Sequence, residues 1–164
     1  MIFTDNNFSK KLFKKLEDYK KYIKKHSLDK KLNINFNKKT KIIKKKYSLY
    51  YNVTQDLKKP LEPEFDDLCR LHFLISSRKV TTILEFGVGK STIIFEDALL
   101  KNKRNYEKYV KKNLRRRNAF ECFSVDTYKK WIKKTKSEVA FSRVFFQFSK
   151  IHMDKFNGRI CTLL

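Results

Sequence analysis

The sequence predicts an α/β fold in which helix and strand patterns alternate into half of an open, partly parallel sheet. Three observations predict it. The run Val80-Thr81-Thr82-Ile83-Leu84 is apolar and β-branched, ends in Glu85, and passes through Gly87-Val88-Gly89 into Ile93-Ile94-Phe95. That is the pattern of a strand, a tight turn and a helix N-terminus. Two further strand-like runs, 119–125 and 139–148, follow a helical pattern each, and Asn157-Gly158 is the strongest two-residue hairpin signal in the chain.

The elements fall into two regions: a basic helical extension with a connector, 1–59, and the amino-terminal half of an α/β domain, 60–164. In the first, Phe8, Leu12, Leu16, Tyr19 and Ile23 recur at helical spacing with lysines on the other faces, so 8–25 reads as an amphipathic helix docked by its apolar stripe. The stretch 27–55 has neither Gly nor Pro and little periodicity, and reads as an irregular connector.

Pro60 and Pro63 open the second region, with Glu62, Glu64, Asp66 and Asp67 close by. Proline and acids favour a helix N-terminus, where N–H groups lack partners and attract negative charge. Phe65, Leu68, Cys69, His72 and Ile75 then mark one face of a helix ending near Ser76-Ser77. His72 on that face reads as a satisfied core histidine. After the glycine turn, Ile93, Ile94, Ala98, Leu99 and Leu100 give a helix with a broad apolar face, which Tyr106, Tyr109, Val110 and Leu114 continue. Arg115-Arg116-Arg117 closes it, suited either to phosphate or to the negative end of the helix dipole. The second strand, 119–125, ends in Asp126; Thr127 to Lys136 forms a short helix; and 139–148 is the third strand, with Val144, Phe146 and Phe148 alternating. The Asn157-Gly158 turn folds 159–164 back on the segment before it.

Composition narrows the function. Among 164 residues, 40 are Lys or Arg against 17 Asp or Glu, a formal net charge of +23. Such a charge suits nucleic acid or another polyanion through phosphate neutralisation. Only eight of the 40 are arginine, however, and the abundance of Lys, Asn, Ile, Phe and Tyr also matches A- and T-rich coding. The three cysteines and three histidines are widely spaced, without CxxC, HxxxH or HExxH, so neither a disulfide framework nor a metal site is indicated. No secretory signal pattern opens the chain, and no apolar run approaches the roughly 20 residues of a bilayer span. The default expectation is a soluble cytoplasmic protein without a membrane span.

The glycine turn invites three chemical readings. Gly89-Lys90-Ser91 looks like the end of a P-loop, but the first glycine of GxxxxGK[ST] would fall at Leu84, inside the strand. A P-loop-like NTPase is therefore the minor reading. The dinucleotide fingerprint GxGxxG fails at Thr92, which stands where the third glycine should be. What remains is acid-x-Gly-x-Gly at the end of a first strand, with a second strand ending in Asp126.

In this respect Ile83-Leu84-Glu85-Phe86-Gly87-Val88-Gly89-Lys90-Ser91-Thr92 resembles motif I of class I S-adenosylmethionine-dependent methyltransferases. The helix around Asp67-Leu68-Cys69-Arg70-Leu71-His72 and the strand end Phe123-Ser124-Val125-Asp126, followed by Trp131-Ile132, resemble the family too. The resemblance covers about residues 60–164. It implies a Rossmann-like three-layer α/β/α domain, incomplete at its C-terminus, with S-adenosyl-L-methionine as cofactor. It also implies a cofactor site of Glu85, Gly87, Gly89, Ser91 and Asp126.

On that implication Glu85 helps hold the methionine end of the cofactor, and Asp126 accepts hydrogen bonds from the ribose hydroxyls. The glycines let the backbone approach, and Ser91 either caps the helix or meets the cofactor carboxylate. The alternatives are a solvated strand-end acid for Glu85 and an N-cap for Asp126. Gly89 and Asp126 lie 37 residues apart, longer than a compact dinucleotide unit. The family's later strands, which meet the transferred methyl and the acceptor, have no counterpart in 60–164. The expectation is an amino-terminal portion with little or no activity alone, no assignable catalytic residue, an unknown methyl acceptor, and an unpaired sheet edge prone to self-association. The rival is a basic nucleic-acid-binding module.

Overall fold

A computed structural model describes residues 13, 16–34, 63–140, 143–149, 152–156 and 159–163. The chain divides into two compact units, Met1–Arg70 and Leu71–Leu164.

In the first unit, α1 spans Leu16–His26 and α2 spans Leu28–Leu32, separated by Ser27 in the left-handed region (φ 53°). Tyr19 and Ile23 of the expected stripe are buried, as are Leu28 and Leu32 of α2, which lies where an irregular connector is expected. Phe8 and Leu12 lie outside the described residues, as do 35–55 of the connector. Phe13 stacks on Tyr19 at 4.7 Å between ring centroids. Helix α3 spans Phe65–Ser77, so that its first six residues belong to this unit and the rest, from Leu71, to the second; Asp66 and Asp67 stand in its first turn, as the acidic start predicts. Its Arg70 donates to the Tyr19 hydroxyl at 2.8 Å and pairs with Asp67 at 3.2 Å.

The second unit is a mixed α/β arrangement. Strand β1 is Thr82–Phe86, α4 is Lys90–Asn113, β2 is Glu121–Asp126, α5 is Lys129–Glu138 and β3 is Val144–Phe148. The three strands form one parallel sheet in the order β1-β2-β3. Strands β4, His152–Phe156, and β5, Arg159–Leu163, form a separate antiparallel pair. Phe156 faces Arg159, so two residues connect these strands, the hairpin expected of Asn157-Gly158. The parallel sheet and its helices confirm the expected α/β class.

Strand side chains alternate between faces, and residues paired across a ladder share one. Ile83, Cys122 and Val144 are in register on the core face, where they meet Ile75, Ala98 and Leu99, with Phe95 and Phe146 packed alongside. Leu84, Phe123 and Phe145 lie on the other face, and there Leu84 and Phe86 are each 62% exposed and Phe145 46%.

Two buried polar clusters fix helices to this core. Asn102 of α4 donates to the Ile75 and Val80 carbonyls, both at 2.9 Å, tying α4 to the end of α3 and the entry to β1. His72 is fully buried with Nε2 2.9 Å from Asp97 Oδ2, and Lys101 Nζ reaches the same oxygen at 2.7 Å. That satisfied pairing agrees with the core reading of His72. Cys69 and Cys122 are buried free thiols whose pKa values burial pushes up, to about 12 and about 11. Among the described residues no group of three or more His, Cys, Asp or Glu is placed to hold a metal ion. No helix among them is long and apolar enough to cross a membrane.

Candidate functional site

Glu85 is the fourth residue of β1, and the ladder sets it opposite Ser124 of β2. Both side chains therefore leave the sheet on the core face, and Ser124 Oγ donates to Glu85 Oε2 at 2.8 Å. The first turn of α4 supplies two more donors. Ser91 Oγ reaches Oε1 at 2.5 Å, and Thr92 Oγ1 reaches Oε2 at 2.7 Å. The Thr92 hydroxyl also accepts the Gly89 N–H at 3.1 Å. Glu85 is only 7% exposed. Burial drives its pKa above the ordinary 4.5; the three hydroxyl bonds oppose that rise, and the Asp126 charge adds to it.

Glu85 is thus not the solvated strand-end acid of the alternative reading. An ionised carboxylate has about four acceptor positions, and three are committed inside the protein. Its evident work is to lock the end of β1, the start of α4 and the middle of β2 together. Ser91 is spent on the same lock: its hydroxyl goes to Glu85, and Thr92 is the side chain that bonds the N-cap backbone of α4, so the capping alternative for Ser91 is not the one found.

Asp126 ends β2 and is 6% exposed. Its Oδ2 accepts the Val88 N–H at 2.8 Å, and its Oδ1 accepts the Tyr128 N–H at 2.7 Å. The first bond clips the glycine turn to the carboxyl end of β2, beside the Gly87 N–H bond to the Val125 carbonyl at 2.8 Å. The second is a local Asx-type turn. Tyr128, not Asp126, occupies the N-cap position of α5, which corrects the capping alternative. Each Asp126 oxygen retains one acceptor position.

The two glycines differ. Gly87 adopts φ +88°, a conformation L side chains avoid, so the turn itself requires glycine there. Gly89 is extended at φ 171°, open to any residue, and no atom beyond its own chain neighbours lies within 4 Å of where its Cβ would stand. Neither conformation nor packing within the chain demands glycine at 89.

The chain matches no protein-family model, no curated protein and no solved structure.

The five expected site residues are brought together at one end of the sheet, where β1 and β2 stop. Thr92, Ser124 and the Val88 N–H complete the cluster and escaped the sequence reading. Thr92 was legible as a hydroxyl one turn into the helix, but Ser124 becomes a partner only through the register of β1 on β2. Lys90, the lysine of the P-loop reading, pairs its Nζ with Glu138 Oε2 of α5 at 2.9 Å.

Proposed function

We propose that the carboxyl edge of the parallel sheet holds S-adenosyl-L-methionine, and that the chain carries the cofactor half of a Rossmann-like methyltransferase. In open α/β sheets, ligands sit outside the carboxyl ends of the strands. The observation that carries the reading is the Asp126 carboxylate clipped to the Gly87–Gly89 turn with an acceptor position left on each oxygen. Two positions match the two hydroxyls of a ribose. A glycine at 89 that the chain's own packing does not require is explained by close approach of a ligand from outside. The order β1-β2-β3 matches the first half of a doubly wound sheet.

The five residues divide in how they fit this cofactor. Gly87, Gly89 and Asp126 fit as its contacts, with the N-terminus of α4 placed to favour its carboxylate. Glu85 and Ser91 fit as the lock that shapes the turn, since their polar atoms are bonded to each other and to Thr92 and Ser124. When bound, the cofactor supplies an electrophilic methyl group; the chain's own residues bind and orient it.

Calorimetry with S-adenosylmethionine and S-adenosylhomocysteine tests the reading. The wild-type chain is expected to bind both. Gly89→Val should weaken binding by roughly tenfold or more while leaving the melting temperature nearly unchanged, because the new side chain meets ligand and not protein. Asp126→Asn should weaken binding too. Absence of binding by the wild type, or equal binding by Gly89→Val, overturns the proposal.

A further inference from the structure

At the opposite end of the sheet the chain builds a second feature, a cavity of about 120 Å³ before the starts of β2 and β3. Space for one water needs roughly 10–15 Å³ by the same kind of measure, so a group of several atoms fits. Its charged lining comes from Lys103, Glu107 and Lys111 of α4, Arg116 and Arg117 of the following tract, and Arg143 just before β3. Five cations thus converge on a small space with one carboxylate among them. Glu107 is itself held by Lys111 at 3.0 Å. Its pKa lies below the ordinary carboxylate value, chiefly through the Lys111 hydrogen bond, with the charges of Lys111, Lys103 and Arg143 adding.

Arg143 supplies a second, independent sign. Its Nη2 meets Glu121 Oε1 at 2.5 Å, but its Nε is buried without a hydrogen-bond partner. Native proteins rarely leave a buried donor unpaired, and Arg143 is one of the residues that line the cavity. Neutralising the end of α4 does not account for the cluster. Lys111 and Lys112 already stand in its last turn, whereas Arg116 and Arg117 lie beyond its end at Asn113. Guanidinium groups match the oxygens of a phosphate in a way that lysine does not.

We propose that this cavity is an anion site that takes a phosphate group, carried either by a small molecule or by a nucleic-acid strand. It lies at the amino edge of the sheet, away from the glycine turn at the carboxyl edge, and is independent of any cofactor bound there. Phosphate oxygens would displace Glu107 as the principal partner of Lys111 and give the basic groups around the cavity an anion to share.

The test uses the full chain and two probes at fixed ionic strength: inorganic phosphate by calorimetry, and a short single-stranded RNA by fluorescence anisotropy. Arg116→Ser/Arg117→Ser removes two solvent-exposed guanidinium groups and should weaken binding of at least one probe by roughly tenfold or more. Glu107→Gln, which removes the internal competitor, should tighten binding of the same probe by about threefold. Lys133→Ser/Lys134→Ser on exposed α5 positions removes equal charge elsewhere and should change affinity little. Loss with phosphate alone assigns a small-molecule phosphate, loss with RNA assigns a phosphodiester backbone, and both outcomes support the site. Failure of the wild type to bind either probe, or equal weakening by the two double variants, overturns it.

Discussion

Thr92 Oγ1 donates its proton to Glu85 Oε2 at 2.7 Å and itself accepts the Gly89 N–H at 3.1 Å. One side chain thereby joins the strand-end acid to the backbone that opens α4. Thr92 is fully buried, so water does not replace its bond to Glu85. Thr92→Val keeps the shape but strands the Gly89 N–H and removes one donor from a buried carboxylate. It is expected to lower stability by about 2 kcal/mol in urea unfolding. Ser91→Ala, at a half-buried position that leaves Glu85 two hydroxyl donors, should cost about 1 kcal/mol or less. Equal and negligible losses would show that Glu85 does not depend on these hydroxyls.

The pH dependence of stability follows from Glu85. Its folded pKa is raised above the ordinary 4.5 by burial. In the window between the unfolded and folded values, the folded state binds more proton than the unfolded state, so stability falls as pH rises. The Glu85 contribution is fully present below about 4.5 and is lost as pH climbs through the folded value. Glu85→Gln retains a carbonyl for Thr92 and Ser124 and cannot ionise. Urea unfolding from pH 4.5 upward should therefore show a flatter profile for Glu85→Gln than for wild type. Parallel profiles would remove Glu85 from the titration.

Much of this architecture is legible in the sequence because it rests on local patterns. Alternation marks Val144, Phe146 and Phe148, and the pair Asn157-Gly158 marks the hairpin. The glycine turn announces the end of β1. What escapes is set by pairing across distance. Ser124 reaches Glu85 only because β2 lies beside β1 in one register. Asp126 spends its oxygens on Val88 and Tyr128 N–H groups, and main-chain donors leave no mark in a sequence. Arg143 joins the Arg116–Arg117 tract only because β3 lies beside β2.

The glycine turn yields a contrast that needs no ligand. Gly87→Ala places a Cβ on a residue at φ +88° and should cost about 1–2 kcal/mol, although space is open around it. Gly89→Ala, at φ 171° with equal space, should leave stability within about 0.5 kcal/mol. Thermal melts of the two variants distinguish them. Equal losses would mean that packing, rather than backbone conformation, governs the turn.

Asn102 offers the clearest case of a residue whose importance is invisible until the fold is known. In the sequence it is one polar residue in a lysine-rich stretch. In the structure it is 2% exposed, and its amide bonds two carbonyls on separate segments, Ile75 at the end of α3 and Val80 before β1. Asn102→Leu approximates the volume but leaves both carbonyls without that donor in a buried setting, for an expected loss of about 2–4 kcal/mol. Leu84→Thr with Phe86→Thr makes the opposite case. Both side chains are 62% exposed on the outer sheet face, and threonine suits a strand. That double variant should stay within about 1 kcal/mol of wild type and remain in solution at higher concentration, because it breaks an exposed apolar patch. Urea unfolding with a solubility measurement compares them directly. A larger stability loss for the surface pair than for Asn102→Leu would mean that the outer face, and not the α3–α4–β1 junction, holds this unit together.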